Sequence, residues 1–288
     1  MKKYKGILFI LLSAFCFALM GMFVKLAGNL PSIEKSFFRN LVALIFAWII
    51  LKKNKVHFSG KKGNLKYLIA RSVAGTVGIL CNFYAVDHLV LSDASMLNKM
   101  SPFFAILFSC ILLKERISLP QIAIVMGAFL GSLLILKPSG VSLISFPALI
   151  GLLGGMGAGL AYTNVRILGE KGEKGPFVVA FFSGFSCLVT LPYLIFHYHP
   201  MSLGQFGCLL LAGLAAAGGQ FSITTAYFNA PAKEISVYDY SQIIFSATLG
   251  YFVFGQKPDK LSWIGYAIIC GMAVVMFFYN NRKSEKFC

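Results

Sequence analysis

The stretch Asp93–Leu113 reads DASMLNKMSPFFAILFSCILL. Its C-terminal part is almost wholly apolar, yet Asn98, Lys99, Ser101 and Pro102 bring an amide, an ammonium, a hydroxyl and a residue without a backbone N–H into the middle. The length matches the roughly 20 residues with which a helix crosses about 30 Å of hydrocarbon. Either this is a core helix of a soluble domain or a membrane span with a polar interruption. Composition decides between them: the 288 residues are 58% hydrophobic, 15% aromatic and only 12% charged, with a mean hydropathy of +0.77. That is far too apolar for a soluble domain with one core.

Outward from this stretch, apolar windows fall at Lys5–Ala27, Phe37–Leu51, Leu65–Val86, Asp93–Leu113, Leu119–Leu136, Ala148–Leu168, Phe177–Phe196, Phe206–Phe228, Ile235–Gly255 and Leu261–Tyr279. In lipid the backbone must satisfy its own hydrogen bonds, and these windows are too long for the alternating strands of a barrel. The expected fold class is therefore an all-α membrane protein with ten transmembrane helices.

The net charge of +16 is distributed by topology. With the N-terminus inside, Lys2, Lys3, Lys5, Lys52, Lys53, Lys55, Lys61, Lys62, Lys66, Lys114, Arg116, Lys171, Lys174, Lys233, Arg282, Lys283 and Lys286 all fall on the inner face. Only Lys35, Lys137, Lys257 and Lys260 fall outside. This asymmetry in short loops places both termini in the cytoplasm and explains the basicity without nucleic acid. The seven cysteines, among them Cys16, Cys187 and Cys288, lack C-x-x-C spacing and read as small apolar fillers. A cleaved signal peptide fits Lys2–Gly21 poorly, because no A-x-A site follows and nine further spans do.

Shifting the sequence on itself by 141 positions lays the first five helices over the last five without a gap. Val24 then meets Val165, Lys25 meets Arg166, Gly28 meets Gly169, Gly78 meets Gly219, Ala85 meets Ala226, Ser95 meets Ser236 and Phe104 meets Phe245. Five is odd, so the second copy enters the membrane upside down. The organisation expected is two inverted five-helix repeats, residues 1–137 and 148–288, joined by a linker at residues 138–147. Such a pair holds its site near the midplane.

"FVKLAG" closing the first helix, "FFRNLVALIFA" in the second, "NFYAVDHLVLSDAS" between the third and fourth, and "SPFFAILFSCILLKERIS" with its weaker copy "QIIFSATLGYFVFGQKPD" together resemble the EamA-type branch of the drug/metabolite transporter superfamily. The copy departs from the pattern at Gln256, where the first half has Glu115. "YDYSQIIFSATLGYFVFGQKPD" is also similar, more weakly, to S-adenosylmethionine uptake carriers of that branch. The resemblance implies a central cavity lined by helices 1, 3, 4, 6, 8 and 9 of the ten. It further implies secondary transport by alternating access without nucleotide hydrolysis or cofactor, and contacts between protomers through helices 5 and 10, hence a homodimer.

Lys99 lies six residues past Asp93, about 9 Å along a helix at 1.5 Å per residue. At that depth an ammonium costs roughly 2.5–3.5 kcal/mol on insertion scales, so it faces a wet cavity or snorkels outward. Asp239, opposite Asn98 under the repeat shift, is a second intramembrane charge amid Tyr238, Tyr240, Ser241 and Gln242. Two readings stand: Lys99 and Asp239 grip the poles of a zwitterion or couple a proton, or Asp239 is a structural partner to Arg71 or Lys99. Pro102 either frees carbonyls near Asn98 for a ligand or simply kinks the helix. Substrate contacts are expected from Asn98, Lys99, Ser101, Asp239, Gln242, Tyr238, Asn82, Tyr84, Tyr162, Gln220 and Thr224, and gate or mouth roles from Arg39, Arg71 and Lys25. Gly151, Gly155 and Gly159, four apart, form a packing surface with no dinucleotide-binding character.

No metal is expected. Motifs of metalloproteases, serine hydrolases and P-loop enzymes are absent, and His57, His88, His197 and His199 fall in or beside loops. The expected function is movement of a small polar or zwitterionic metabolite, amino-acid-like or nucleoside-like, across an inner membrane. The alternative is a channel or a non-transporting scaffold subunit.

Overall fold

The computed structural model describes residues 2–55, 60–61, 63–89, 91–137, 145–255 and 257–285. Of the positions named above, His57, Lys62, Gln256, Lys286, Cys288 and linker residues 138–144 lie outside that set. The described residues form helices and no strand: α1 (Lys2–Leu26), α2 (Ser32–Lys53), α3 (Leu65–His88), α4 (Leu91–Asn98), α5 (Ser101–Leu112), α6 (Leu119–Leu136), α7 (Phe146–Glu170), α8 (Gly175–Phe196), α9 (Leu203–Asn229), α10 (Ala232–Ile235), a 3₁₀ segment (Ser236–Tyr240), α11 (Ser241–Phe254) and α12 (Lys260–Glu285).

Among these residues seven stretches are long and apolar enough to cross a membrane: Tyr4–Leu26, Ala94–Leu112, Leu119–Leu136, Phe146–Glu170, Gly175–Phe196, Leu203–Asn229 and Lys260–Asn281. Helices α2 and α3 carry charge, with Glu34, Lys35, Arg39, Lys52 and Lys53 on the first and Lys66 and Arg71 on the second. The expected window Phe37–Leu51 is therefore shorter than the helix that forms. The fourth and ninth windows are broken rather than continuous: a turn at Lys99–Met100 separates α4 from α5, and the 3₁₀ segment separates α10 from α11. Pro102 sits in the first turn of α5, where its missing N–H is one of the orphans any helix start has, so it opens a helix instead of kinking one.

Local chemistry places several other boundaries. Ser202 and Gln205 form a reciprocal capping box at the start of α9, and Ser118 and Gln121 do the same for α6. Ser145 accepts from the Ala148 N–H at 3.4 Å with a proline in the first turn of α7. Gly255, at φ 65°, ends α11 in the left-handed conformation that glycine adopts without penalty.

Small residues let the long helices touch backbone to backbone. Gly151 faces Ala85, Gly154 faces Asn82, and Gly157 faces Ala74, so α3 and α7 run antiparallel. The Ser13 hydroxyl donates to the Gly219 carbonyl at 3.0 Å while Gly6 meets Ala230, making α1 and α9 antiparallel as well. Asn40 donates to the Ser186 hydroxyl at 2.9 Å, and Leu44 meets Gly184, between antiparallel α2 and α8. Gln121 donates to Asn280 at 3.1 Å, and Gly131 meets Gly265, between antiparallel α6 and α12. Gly155 and Gly159 pack on Leu97, Phe104 and Ala105, where α5 runs parallel to α7. In the equivalent place α11 runs parallel to α1, with Phe15 on Phe245 and Lys25 over Phe254. Outward side chains such as Leu8, Leu188, Phe252 and Trp263 are exposed, as lipid-facing residues must be.

A Cβ on Gly157 would lie 2.7 Å from the Ala74 carbonyl oxygen and 2.9 Å from the Gly78 Cα, both backbone atoms. Gly157→Ala is expected to force α3 and α7 apart at a cost of about 1–3 kcal/mol. Gly207→Ala, in α9 with open space around the position, is expected to leave stability unchanged or raise it. Thermal unfolding midpoints in detergent read the contrast; equal midpoints would contradict the close helix crossing.

Candidate functional site

The broken helices bring two buried charges together. Lys99 is 8% exposed and Asp239 7%. The Lys99 ammonium donates to Gln242 Oε1 at 2.7 Å, to Asp239 Oδ2 at 3.2 Å and to the Asp239 carbonyl at 3.4 Å. The Tyr240 hydroxyl returns a bond to the Lys99 carbonyl at 3.1 Å. The turn at Lys99 and the 3₁₀ segment both interrupt their helices, and the carbonyls of Lys99 and Asp239 each accept from a side chain of the other break. Of the partners considered for Asp239, the structure pairs it with Lys99 and not Arg71. Lys99 turns inward and does not snorkel. Both poles are engaged by each other, so in this conformation they do not stand apart to grip a zwitterion.

Beside this tie lies a cavity of about 150 Å³ lined by Phe17, Met20, Arg39, Arg71, Gly75, Gly78, Ile79, Asn82, Asn98, Ala158, Ala161, Tyr162, Phe182, Gln220 and Gln242. These come from α1, α2, α3, α4, α7, α8, α9 and α11, so α2 and α8 join the helices expected to line it. Arg71 is only 2% exposed; it donates to Gln220 Oε1 at 3.1 Å and stacks its guanidinium 3.9 Å over the Phe182 ring. Room for that pose comes from Gly75, one turn along α3, where a Cβ would lie 2.3 Å from Arg71 Nη1. Arg71 is thus a cavity residue rather than an interfacial one. Arg39, 7% exposed, faces the same cavity.

Of the expected site residues, Arg39, Arg71, Asn82, Asn98, Tyr162, Gln220 and Gln242 meet at the cavity. Lys99 and Asp239 stand behind Gln242 as the ion pair. Ser101 and Thr224 are buried away from the lining, and Tyr238 packs beside Leu11, Ile244 and Ile269 on the α12 side. Tyr84 is exposed and stacked on His88 at 4.1 Å. Lys25 is exposed, 4.3 Å over the Phe254 ring, and is not part of the cavity lining. Phe17, Met20, Gly75 and Phe182 were not legible as site residues. The one available signal was Gly75 four places after Arg71, a helical spacing that clears space for a long side chain.

Below the cavity, Tyr162 stacks on Tyr227 at 5.2 Å. Arg166 then caps the end of α9, donating to the Tyr227 and Phe228 carbonyls at 3.2 and 3.3 Å, and pairs with Glu170 at 2.9 Å and Glu115 at 3.9 Å. It does not snorkel. Burial raises the Glu115 carboxyl above its ordinary range, while Lys233 and Arg166 pull it back. At the opposite end Glu34, fully buried, accepts from the His199 N–H at 2.7 Å and anchors α2 to the loop after α8.

The model of the EamA-like transporter family matches this chain twice, over residues 4–137 and 145–278. The pseudopaline exporter CntI of Pseudomonas aeruginosa is 33% identical over 266 residues, covering 92% of this chain and 93% of its own. A riboflavin transporter of Vibrio cholerae is 24% identical over 295 residues, covering 98% and 96%. Among solved structures, one crystal structure superposes with a TM-score of 0.82 over 97% of this chain and 99% of its own, at 13% identity, a likeness of fold alone.

Proposed function

The chain belongs to the EamA-like transporter family, and from that membership we propose that it is a secondary carrier moving a small polar organic metabolite across the cytoplasmic membrane by alternating access. It is a multi-pass membrane protein, and its family and relatives are transporters rather than enzymes. The observation that carries the proposal is the polar cavity between helices of both halves, flanked by two broken helices tied through Lys99, Asp239 and Gln242.

The full proposal is ten crossings arranged as two inverted five-helix halves, with both termini cytoplasmic. Three features support it. The family model repeats with the same span in each half. The helix ends α4 at Leu91 and α6 at Leu119 map under the 141-residue shift onto α10 at Ala232 and α12 at Lys260. The antiparallel pairings of α1 with α9 and of α3 with α7 exchange with each other under that shift. Symmetry-related halves around a shared site can rock to open either face, and the Lys99–Asp239 tie is the contact placed to break and re-form as they do. By name two relatives carry organic metabolites, pseudopaline and riboflavin, which supports that class of cargo here.

Proteoliposomes loaded with a bacterial metabolite extract provide the test, with compounds that cross read by mass spectrometry. Saturable flux and counterflow of at least one compound are expected. Flux linear in concentration would indicate a channel, and none at all would defeat the proposal.

A further inference from the structure

We infer that the cavity binds the anionic end of its substrate, a group bearing two negative charges, between the guanidinium groups of Arg39 and Arg71. The inference deepens the carrier reading and rests on it for the word substrate. Arg71 meets, among the described residues, the neutral Gln220 amide and the Phe182 ring. Among the described residues no hydrogen-bond or ion-pair partner meets Arg39, and the buried Nε of both arginines is unbonded. No carboxylate among the described residues stands in the cavity lining. Asp239, the nearest acid by sequence to the lining residue Gln242, is already neutralised by Lys99.

Two buried positive charges without counter-ions are a standing penalty on the folded state. A fold has reason to keep them where a ligand supplies the opposite charge. The guanidinium fork matches carboxylate and phosphate oxygens in pairs, and in a site of low polarity such bonds are at their strongest. Asn82, Asn98 and Gln242 add neutral amides on the same wall, able to donate to remaining oxygens. The volume of about 150 Å³ is well above the roughly 10–15 Å³ that a single water needs, which leaves room for a compact dianionic head group. S-adenosylmethionine, which carries a sulfonium cation, is disfavoured here by the same charges.

The probes are succinate, S-adenosylmethionine and uridine, tested at matched ionic strength on the purified full chain by thermal shift. Succinate is expected to raise the wild-type midpoint and the other two to leave it unmoved. Arg39→Gln and Arg71→Gln should each weaken the apparent succinate affinity about ten-fold or more, the weight of one charge-assisted contact. Arg39→Gln should also hold or raise the midpoint without ligand, because it removes an uncompensated charge; this separates binding loss from misfolding. No response to succinate, an undiminished response in both variants, or stabilisation by S-adenosylmethionine instead would overturn the inference. Flux of any metabolite in the proteoliposome assay would leave the carrier reading standing in those cases.

Discussion

Asp239→Asn alone is expected to destabilise the folded protein by about 3–5 kcal/mol and to abolish transport, and adding Lys99→Met is expected to return most of the stability but none of the transport. Both side chains of the pair are about nine-tenths buried, at 10% and 9% exposure, so solvent screens the interaction little. Replacing the carboxylate by an amide leaves a buried ammonium among neutral oxygens only, those of the Gln242 amide, the substituted side chain and the carbonyl of residue 239, with no negative charge to offset it. Removing both charges leaves neutral groups of similar size, for which burial carries no such penalty. A double-mutant cycle on unfolding free energies reads the coupling. Additive losses would show that the two charges act independently and that the two broken helices are not tied through them.

A second large effect is expected at Arg166. Arg166→Met should cost about 1.5–3 kcal/mol, the scale of a hydrogen bond to a charged group, because it strips partners from the Tyr227 and Phe228 carbonyls and leaves Glu115 beside Glu170. The loss should depend on pH, with a sign that follows from Glu115. Burial already raises its carboxyl, and taking away Arg166 removes one of the charges opposing that rise. A carboxyl whose folded pKa exceeds its unfolded one penalises folding above the folded pKa, and the penalty fades as pH falls through it. The Arg166→Met deficit is therefore greatest at neutral pH and shrinks on acidification, and a second substitution, Glu115→Gln, should reduce the pH dependence, leaving the share that comes from the Glu170 pair. A deficit independent of pH would mean that the capped carbonyls alone account for it.

Hydropathy made the helices legible because lipid imposes one rule on every residue of a span. The fifth window, Leu119–Leu136, coincides with α6, where no charge blurs either end. At α2 the rule fails: Glu34, Lys35 and Arg39 mask the first turns, which are held instead by partners far along the chain, such as the His199 N–H on Glu34 from the loop after α8. The two interruptions were legible as polar residues inside apolar runs. Their union was not, because Lys99 and Asp239 are 140 positions apart and nothing local encodes which distant charge a buried ammonium meets. Arg71 illustrates the limit of depth alone. Six residues past Leu65 it lies within snorkelling reach, and Gly75 together with the Gln220 amide and the ring of Phe182, both from helices in the other half, turns it toward the cavity.

The claim on which the rest depends is that the two halves face opposite ways in the bilayer. Exposed Asn29 lies in the loop after α1, and exposed Lys171 in the equivalent loop after α7. In a background with the seven native cysteines replaced by serine, Asn29→Cys and Lys171→Cys can each be challenged with a membrane-impermeant maleimide on intact cells. Labelling of the first from outside, and of the second only after permeabilisation, is the result this account predicts. Labelling of both from the same side would contradict it.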